Sequence, residues 1–117
     1  MAQKNALRLH YTDKKSGAGL QTLMSDIVPA HELWCIQRYA YEGSAATSGG
    51  NTRARTYVEG HGYKHYVSEK DGPSLATLYW DPDSIWLHEG ERLAQEWDQA
   101  ADGNVLDLYV NGYREEV

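Results

Sequence analysis

Across residues 33–113 the chain is a succession of short segments rich in Tyr, Trp and β-branched residues, each cut off after a few positions by Gly, Pro, Asp or Asn. Segments of this composition suit pleated, half-buried strands, and the breakers between them are turn formers. A chain of 117 residues can bury one core without disulfide or metal staples. No period of about 20–50 residues repeats, which sets solenoids and propellers aside. The expected fold is all-β: an antiparallel two-sheet β-sandwich or jelly roll of about eight strands, preceded by an extended N-terminal arm.

The pattern is clearest at residues 52–59, where Arg53, Arg55 and Tyr57 alternate with Ala54, Thr56 and Val58. Gly60-His61-Gly62 then turns the chain into residues 63–69, a hairpin signal. Residues 33–41 form the most apolar run. Strict alternation puts Leu33, Cys35, Gln37, Tyr39 and Tyr41 on one face and Trp34, Ile36, Arg38 and Ala40 on the other, so both faces begin apolar. A strand buried on both sides at one end meets a second sheet, a folded arm or another subunit. Residues 105–110 set Leu106, Leu108 and Val110 against Val105, Asp107 and Tyr109, and shorter strands are expected at 19–24, 75–80 and 84–88. Residues 91–101 read two ways. As a helix they place Leu93 and Trp97 at i and i+4 with Gly103 as a stop, and as a strand they put Leu93, Gln95 and Trp97 on one face. Their β neighbours favour the strand.

Residues 1–19 mix Leu7, Leu9 and Tyr11 with charges and dissolve into Lys14-Lys15-Ser16-Gly17, which reads as a joint. The expected division is therefore an arm at 1–19 and a sandwich domain at 20–117, with a small polar loop at 43–51. Charge is uneven along the chain. Residues 1–15 carry four cations against one acid, and residues 81–117 carry ten acids against two cations. A basic start and an acidic end could attract one another between subunits, or each could be simply solvated. The overall charge of −6 argues against general nucleic-acid binding, which needs a basic surface. No apolar run approaches the ~18 residues that span a bilayer, and the amino terminus has no apolar stretch of the signal-peptide kind. A soluble protein inside a cell is expected. Cys35, the single cysteine, lies between Trp34 and Ile36 and reads as a small buried hydrophobe.

Three constellations invite chemistry. His61, His65 and Glu69 offer imidazole and carboxylate ligands, but His65 and Glu69 lie ~13 Å apart along a strand, too far for one ion without a bulge. Asp81, Asp83, Glu89 and Glu91 bracket Trp86 and could pair for glycoside hydrolysis, although Asp81-Pro82-Asp83 and Glu89-Gly90-Glu91 read more economically as a turn and a solvated bend. Trp34, Trp80, Trp86 and Trp97 could stack on sugar rings, or could be core and subunit-contact residues. No phosphate-binding glycine motif or nucleophile elbow occurs, so no catalytic residue, metal or cofactor is expected. All four Trp and nine Tyr carry a polar handle and Phe is absent, a composition suited to contacts that are half-buried. Arg53, Arg55 and Tyr57 on one strand face, with Leu7, Leu9 and Tyr11 of the arm, are the expected partner-binding residues.

One order of features is familiar. Val28-Pro29-Ala30 leads into the apolar run at Leu33, Ile85-Trp86-Leu87 runs into Gly90-Glu91-Arg92-Leu93, and Ala100, Gly103, Leu106, Leu108, Val110 and Gly112-Tyr113 close the chain. Over about residues 20–113 this resembles the small β-sandwich virion proteins of tailed bacteriophages. In those, a Val-Pro-Ala start, a Leu-x-x-Gly-Asp/Glu turn and a last strand ending in Gly recur. The resemblance implies a non-enzymatic capsid decoration, cement, neck or tail accessory subunit. Such a protein acts as a symmetric oligomer, binds major capsid or neck and tail proteins, and resides in virions assembled in the host cytoplasm. The Trp-rich strands and the 43–51 loop depart from that pattern. A carbohydrate-binding module for host-surface recognition is the alternative.

Overall fold

The computed structural model describes residues 4–14, 20–43, 52–71, 77–82, 84–98 and 105–117. The expected joint at 15–19, the loop at 44–51, Asp83 and the Gly103-Asn104 turn lie outside them. The strands are β1 (Lys4–Lys14), β2 (Leu20–Met24), β3 (Glu32–Gly43), β4 (Arg53–Gly60), β5 (Tyr63–Asp71), β6 (Tyr79–Asp81), β7 (Ile85–Leu87), β8 (Arg92–Asp98) and β9 (Val105–Glu116). All pairings are antiparallel. They build two sheets that pack as a sandwich: β1-β9-β3-β6 with β7 also on β3, and β2-β8-β4-β5.

Successive strands mostly cross from one sheet to the other, which is jelly-roll order, with β6 and β7 sharing the place of a single strand beside β3. Among the described strands only β4 and β5 form a hairpin. His61 and Gly62, both at positive φ (51° and 84°), make its two-residue turn, the backbone twist that such hairpins favour. The ambiguous segment at 91–101 is a strand, β8, at the centre of the second sheet, with Leu93, Gln95 and Trp97 facing inward.

Two β-bulges change the faces read from strict alternation. In β3, Ile36 pairs with Gly112 and Arg38 with Asn111, so Gln37 is the extra residue. From there onward the parity flips. Trp34, Ile36, Tyr39 and Tyr41 therefore all point into the core, and Cys35, Arg38 and Ala40 point out. Gly112 is what lets the strands close at this point. A Cβ there would stand 2.0 Å from the Cys35 carbonyl oxygen. In β5 the extra residue is Val67, between Tyr66 opposite Tyr57 and Ser68 opposite Thr56.

The N-terminal segment is extended, but as far as Lys14 it is not separate from the sandwich. β1 pairs with β9 in unbroken register from Lys4 opposite Glu115 to Lys14 opposite Val105. Alternation explains why. Leu7 is buried in the core and Leu9 and Tyr11 pack against it, so detaching the strand would expose them. The same pairing brings the basic start and the acidic end of the chain together within one molecule.

A polar seam crosses the core. The Tyr39 hydroxyl lies 2.7 Å from Asp81 Oδ2, to which it donates, and 2.7 Å from Ser68 Oγ on the opposite sheet. Nearby, Thr56 donates to the Gln95 side-chain carbonyl, and both residues are fully buried. Burial, more than the carboxylate, pushes the Tyr39 phenol well above its ordinary range.

Candidate functional site

Three of the residues expected to bind partners are the inward-facing side chains of β1. Leu7 is core, and the Tyr11 hydroxyl is held against Asp26, accepting its backbone N–H at 3.1 Å. The other three face outward on the second sheet, where their chemistry is already engaged. Arg55 Nε donates to Glu69 at 2.6 Å and Arg53 Nε to Asp71 at 2.8 Å, both across to β5. Tyr57 is 1% exposed although it points outward, because the Tyr66 ring lies 5.2 Å away and Lys64 Nζ sits 5.0 Å from its ring centre. Arg92, paired with Glu59 at 2.8 Å, completes a ladder of cross-strand pairs.

The outer face of the first sheet is built differently. The register stacks the outward residues in rows across the strands, three of them flanked by Lys4, Glu115 and Leu33 on one side and by Thr12, Asp107 and Glu42 on the other. One row is Ala6, Tyr113, Cys35 and Trp86; the next holds Arg8, Asn111 and Arg38; the third is His10, Tyr109, Ala40 and Trp80. Trp80 is 52% and Trp86 47% exposed, large values for a side chain that is highly buried on average. Cations rest on rings here and not on acids. Lys4 Nζ lies 4.8 Å from the Tyr113 ring centre and the Arg38 guanidinium 5.9 Å from that of Trp80. Among the described residues, no ion pair involves Lys4, Arg8 or Arg38. Among the described residues the acid engaged on this face is Asp107, 2.8 Å from His10 Nε2, and the His10 ring stacks on Tyr109 at 4.3 Å.

Cys35 lies in the first row and is buried beneath its neighbours. The hydrogen bond to Cys35, then burial, raises the Tyr113 phenol above its ordinary value; burial, then Asp107, does the same for Tyr109. Trp86 meets Tyr113 edge to face, with ring planes at 90° and centres 6.5 Å apart.

The other constellations separate. The Val67 bulge sends His65 inward, opposite Val58, and Glu69 outward, opposite Arg55, so they share no face. Among the described residues, no three His, Cys, Asp or Glu side chains cluster as metal ligands would. Glu91, expected in a solvated bend, is buried: it accepts the His88 N–H at 2.8 Å and the Tyr63 hydroxyl at 2.9 Å. It closes one end of a groove of about 380 Å³ between β5 and β7, floored by Val58, Val67 and Ile85. Asp81 faces the Tyr39 seam and Glu89 accepts the His31 N–H, so these acids do not converge. Trp34 and Trp97 are buried in the core, whereas Trp80 and Trp86 are not.

Tyr109, Tyr113, Arg8, His10 and Lys4 were not singled out by sequence reasoning. Alternation along β1 marks its even positions as one outward set, but only the pairing with β9 joins them to the tyrosines. Comparison with protein-family models, with curated proteins and with solved structures gives no match to the chain. What the protein does has to be read from its own surface.

Proposed function

We propose that this chain is a non-enzymatic assembly protein that binds other protein subunits through the outer face of its first sheet. The setting in which we place it is the virion of a tailed bacteriophage, where it would act as a symmetric oligomer on the capsid, neck or tail. The observation that carries the reading is the three-row surface of Trp80, Trp86, Tyr109 and Tyr113 around Arg8 and Arg38. Trp, Tyr and Arg dominate the energetic centres of protein interfaces, and here exposed tryptophans and arginines surround half-buried tyrosines, with no ion pair holding the arginines among the described residues. Jelly rolls serve viral capsid proteins and lectins alike, so the surface and not the fold has to decide. The exposed tryptophans also suit a sugar platform. That reading is the weaker one, because Trp86 and Tyr113 stand perpendicular and the Arg38 guanidinium lies 5.9 Å from the centre of the Trp80 ring, an arrangement less suited to a pyranose face than a coplanar pair.

The test is recruitment to particles. Tagged protein added to a lysate of phage-infected host should migrate with the particle band of a density gradient. A Trp80→Ser/Trp86→Ser variant with unchanged thermal unfolding should remain at the top. Equal recruitment of both proteins, or of neither, refutes the reading; binding of the wild type to a glycan array, lost in the same variant, replaces it with the sugar reading.

A further inference from the structure

A sandwich of two open sheets has four edges, and here they are unequal. The first sheet ends on one side at β6 and β7, three residues each, and the second ends at the five-residue β2 and at β5, whose run is interrupted by the Val67 bulge. Short and bulged edge strands are the usual protection against unwanted pairing. The remaining edge, β1, is neither short nor bulged, and what guards it is positive charge, Lys4, Arg8 and Lys14. It runs 11 residues without a bulge or a proline, and among the described residues it pairs with β9 alone. Every second residue of such a strand turns its N–H and C=O away from the sheet.

The side chains say what this edge accepts. Lys4, Ala6, Arg8, His10 and Thr12 face outward, and Asn5, Leu7, Leu9 and Tyr11 face the sandwich, with Leu9 and Tyr11 only half covered. A second copy of β1 fits badly. Antiparallel pairing that keeps inward residues opposite inward ones, when centred on Leu9, sets Lys4 against Lys14 and Arg8 against His10. Centred on Arg8, it sets two arginines opposite each other. Like charges directly opposite destabilise a strand pair. A strand that carries acids opposite Lys4 and Arg8, and apolar residues opposite Leu7, Leu9 and Tyr11, would satisfy both faces at once.

We propose that the free edge of β1 takes up an extended segment of alternating acidic and apolar residues from a different protein, adding a strand to the first sheet. This rests on the reading of the chain as a protein-binding module and assigns it a second contact beside the aromatic face. Backbone hydrogen bonds supply much of the affinity in this mode of recognition, and the alternating side chains supply the choice of partner.

The probes are two capped nonapeptides, one alternating Glu and Val and the other Lys and Val, added to the intact chain and read by amide hydrogen exchange. The Glu–Val peptide should protect alternate amides within residues 4–14 and lose affinity as salt rises. The Lys–Val peptide should bind about tenfold more weakly, the ratio expected when two opposite-charge pairs become like-charge ones. Arg8→Glu should narrow or reverse that preference. Equal protection by the two peptides, protection confined to other strands, or none at all would overturn the proposal. The Trp80→Ser/Trp86→Ser variant should bind the Glu–Val peptide as the wild type does. Loss of particle recruitment with peptide binding intact thus separates failure of the edge from failure of the face.

Discussion

The two outward faces of this sandwich use similar residues to opposite ends. On the second sheet, Arg53, Arg55 and Arg92 each meet an acid one strand away, and Tyr57 is roofed by Tyr66 and Lys64. On the first sheet, Lys4 and Arg38 lie over aromatic rings, Arg8 has no acid partner among the described residues, and two tryptophans stand half in water. A surface that has paired its own charges gains little from a partner, since any new contact must first break an old one. A surface of desolvatable rings and unpaired guanidinium groups has its interactions still to make. Arg and Tyr content therefore does not mark an interface by itself; what matters is whether the same chain already satisfies them.

The largest expected break in this comparison lies at Gly112, which holds β9 against β3 beneath the first face. With the Cys35 carbonyl 2.0 Å from any added Cβ, and that contact being backbone, the strands must part. Gly112→Ala should cost about 3 kcal/mol or more in chemical denaturation, in the range of severe overpacking. Amide exchange should rise first in β1, β3 and β9, because the three rows of the first face depend on this seam. If the variant loses less than about 1 kcal/mol, or if β4 and β8 loosen first, the close approach at Gly112 is not what aligns the site.

The same glycine shows where sequence reading stops. Alternation locates β4, β5 and the inward set Leu106, Leu108 and Val110, and the Gly60-His61-Gly62 turn announces its hairpin. Those signals are local, encoded by neighbours in the chain. The bulges at Gln37 and Val67 are not. Each arises from how a strand meets a partner, and each flips every side chain beyond it, so the face expected to hold Gln37, Tyr39 and Tyr41 together with Cys35 is divided in the fold. Alternation reads the last strand as residues 105–110; it runs on to Glu116, with Gly112 allowing the close approach to Cys35. The candidate site suffers most. His10 and Asp107, 97 residues apart, belong to it only through the β1–β9 pairing, which no local pattern reports.

A smaller effect tests whether the two faces rise and fall together. Tyr39 joins the sheets, bonded to Asp81 on its own and Ser68 on the other. Its phenol is raised above the ordinary value of 10.0, chiefly by burial. The stability linked to it is therefore fully present below about pH 10, and is lost as the pH climbs from there toward the folded-state value, because the unfolded chain releases the proton first. Denaturation midpoints should fall over that alkaline window. Tyr39→Phe should lower stability at neutral pH by about 1–3 kcal/mol and flatten the alkaline fall. An alkaline limb as steep in the variant as in the wild type would assign the effect to other tyrosines.

The smallest effect is expected on the second face, and its smallness is the point. Arg53 and Asp71 are both substantially exposed, so the 2.8 Å pair between them is screened by water and salt. Arg53→Ala should change unfolding free energy by no more than about 0.5 kcal/mol, with the difference vanishing at high salt. It should also leave particle recruitment as it is in the wild type, since Arg53 is already committed to β5. If Arg53→Ala instead reduces recruitment as far as the Trp80→Ser/Trp86→Ser variant does, the second face binds partners too. Internal pairing would then not be what distinguishes a quiet face from a working one.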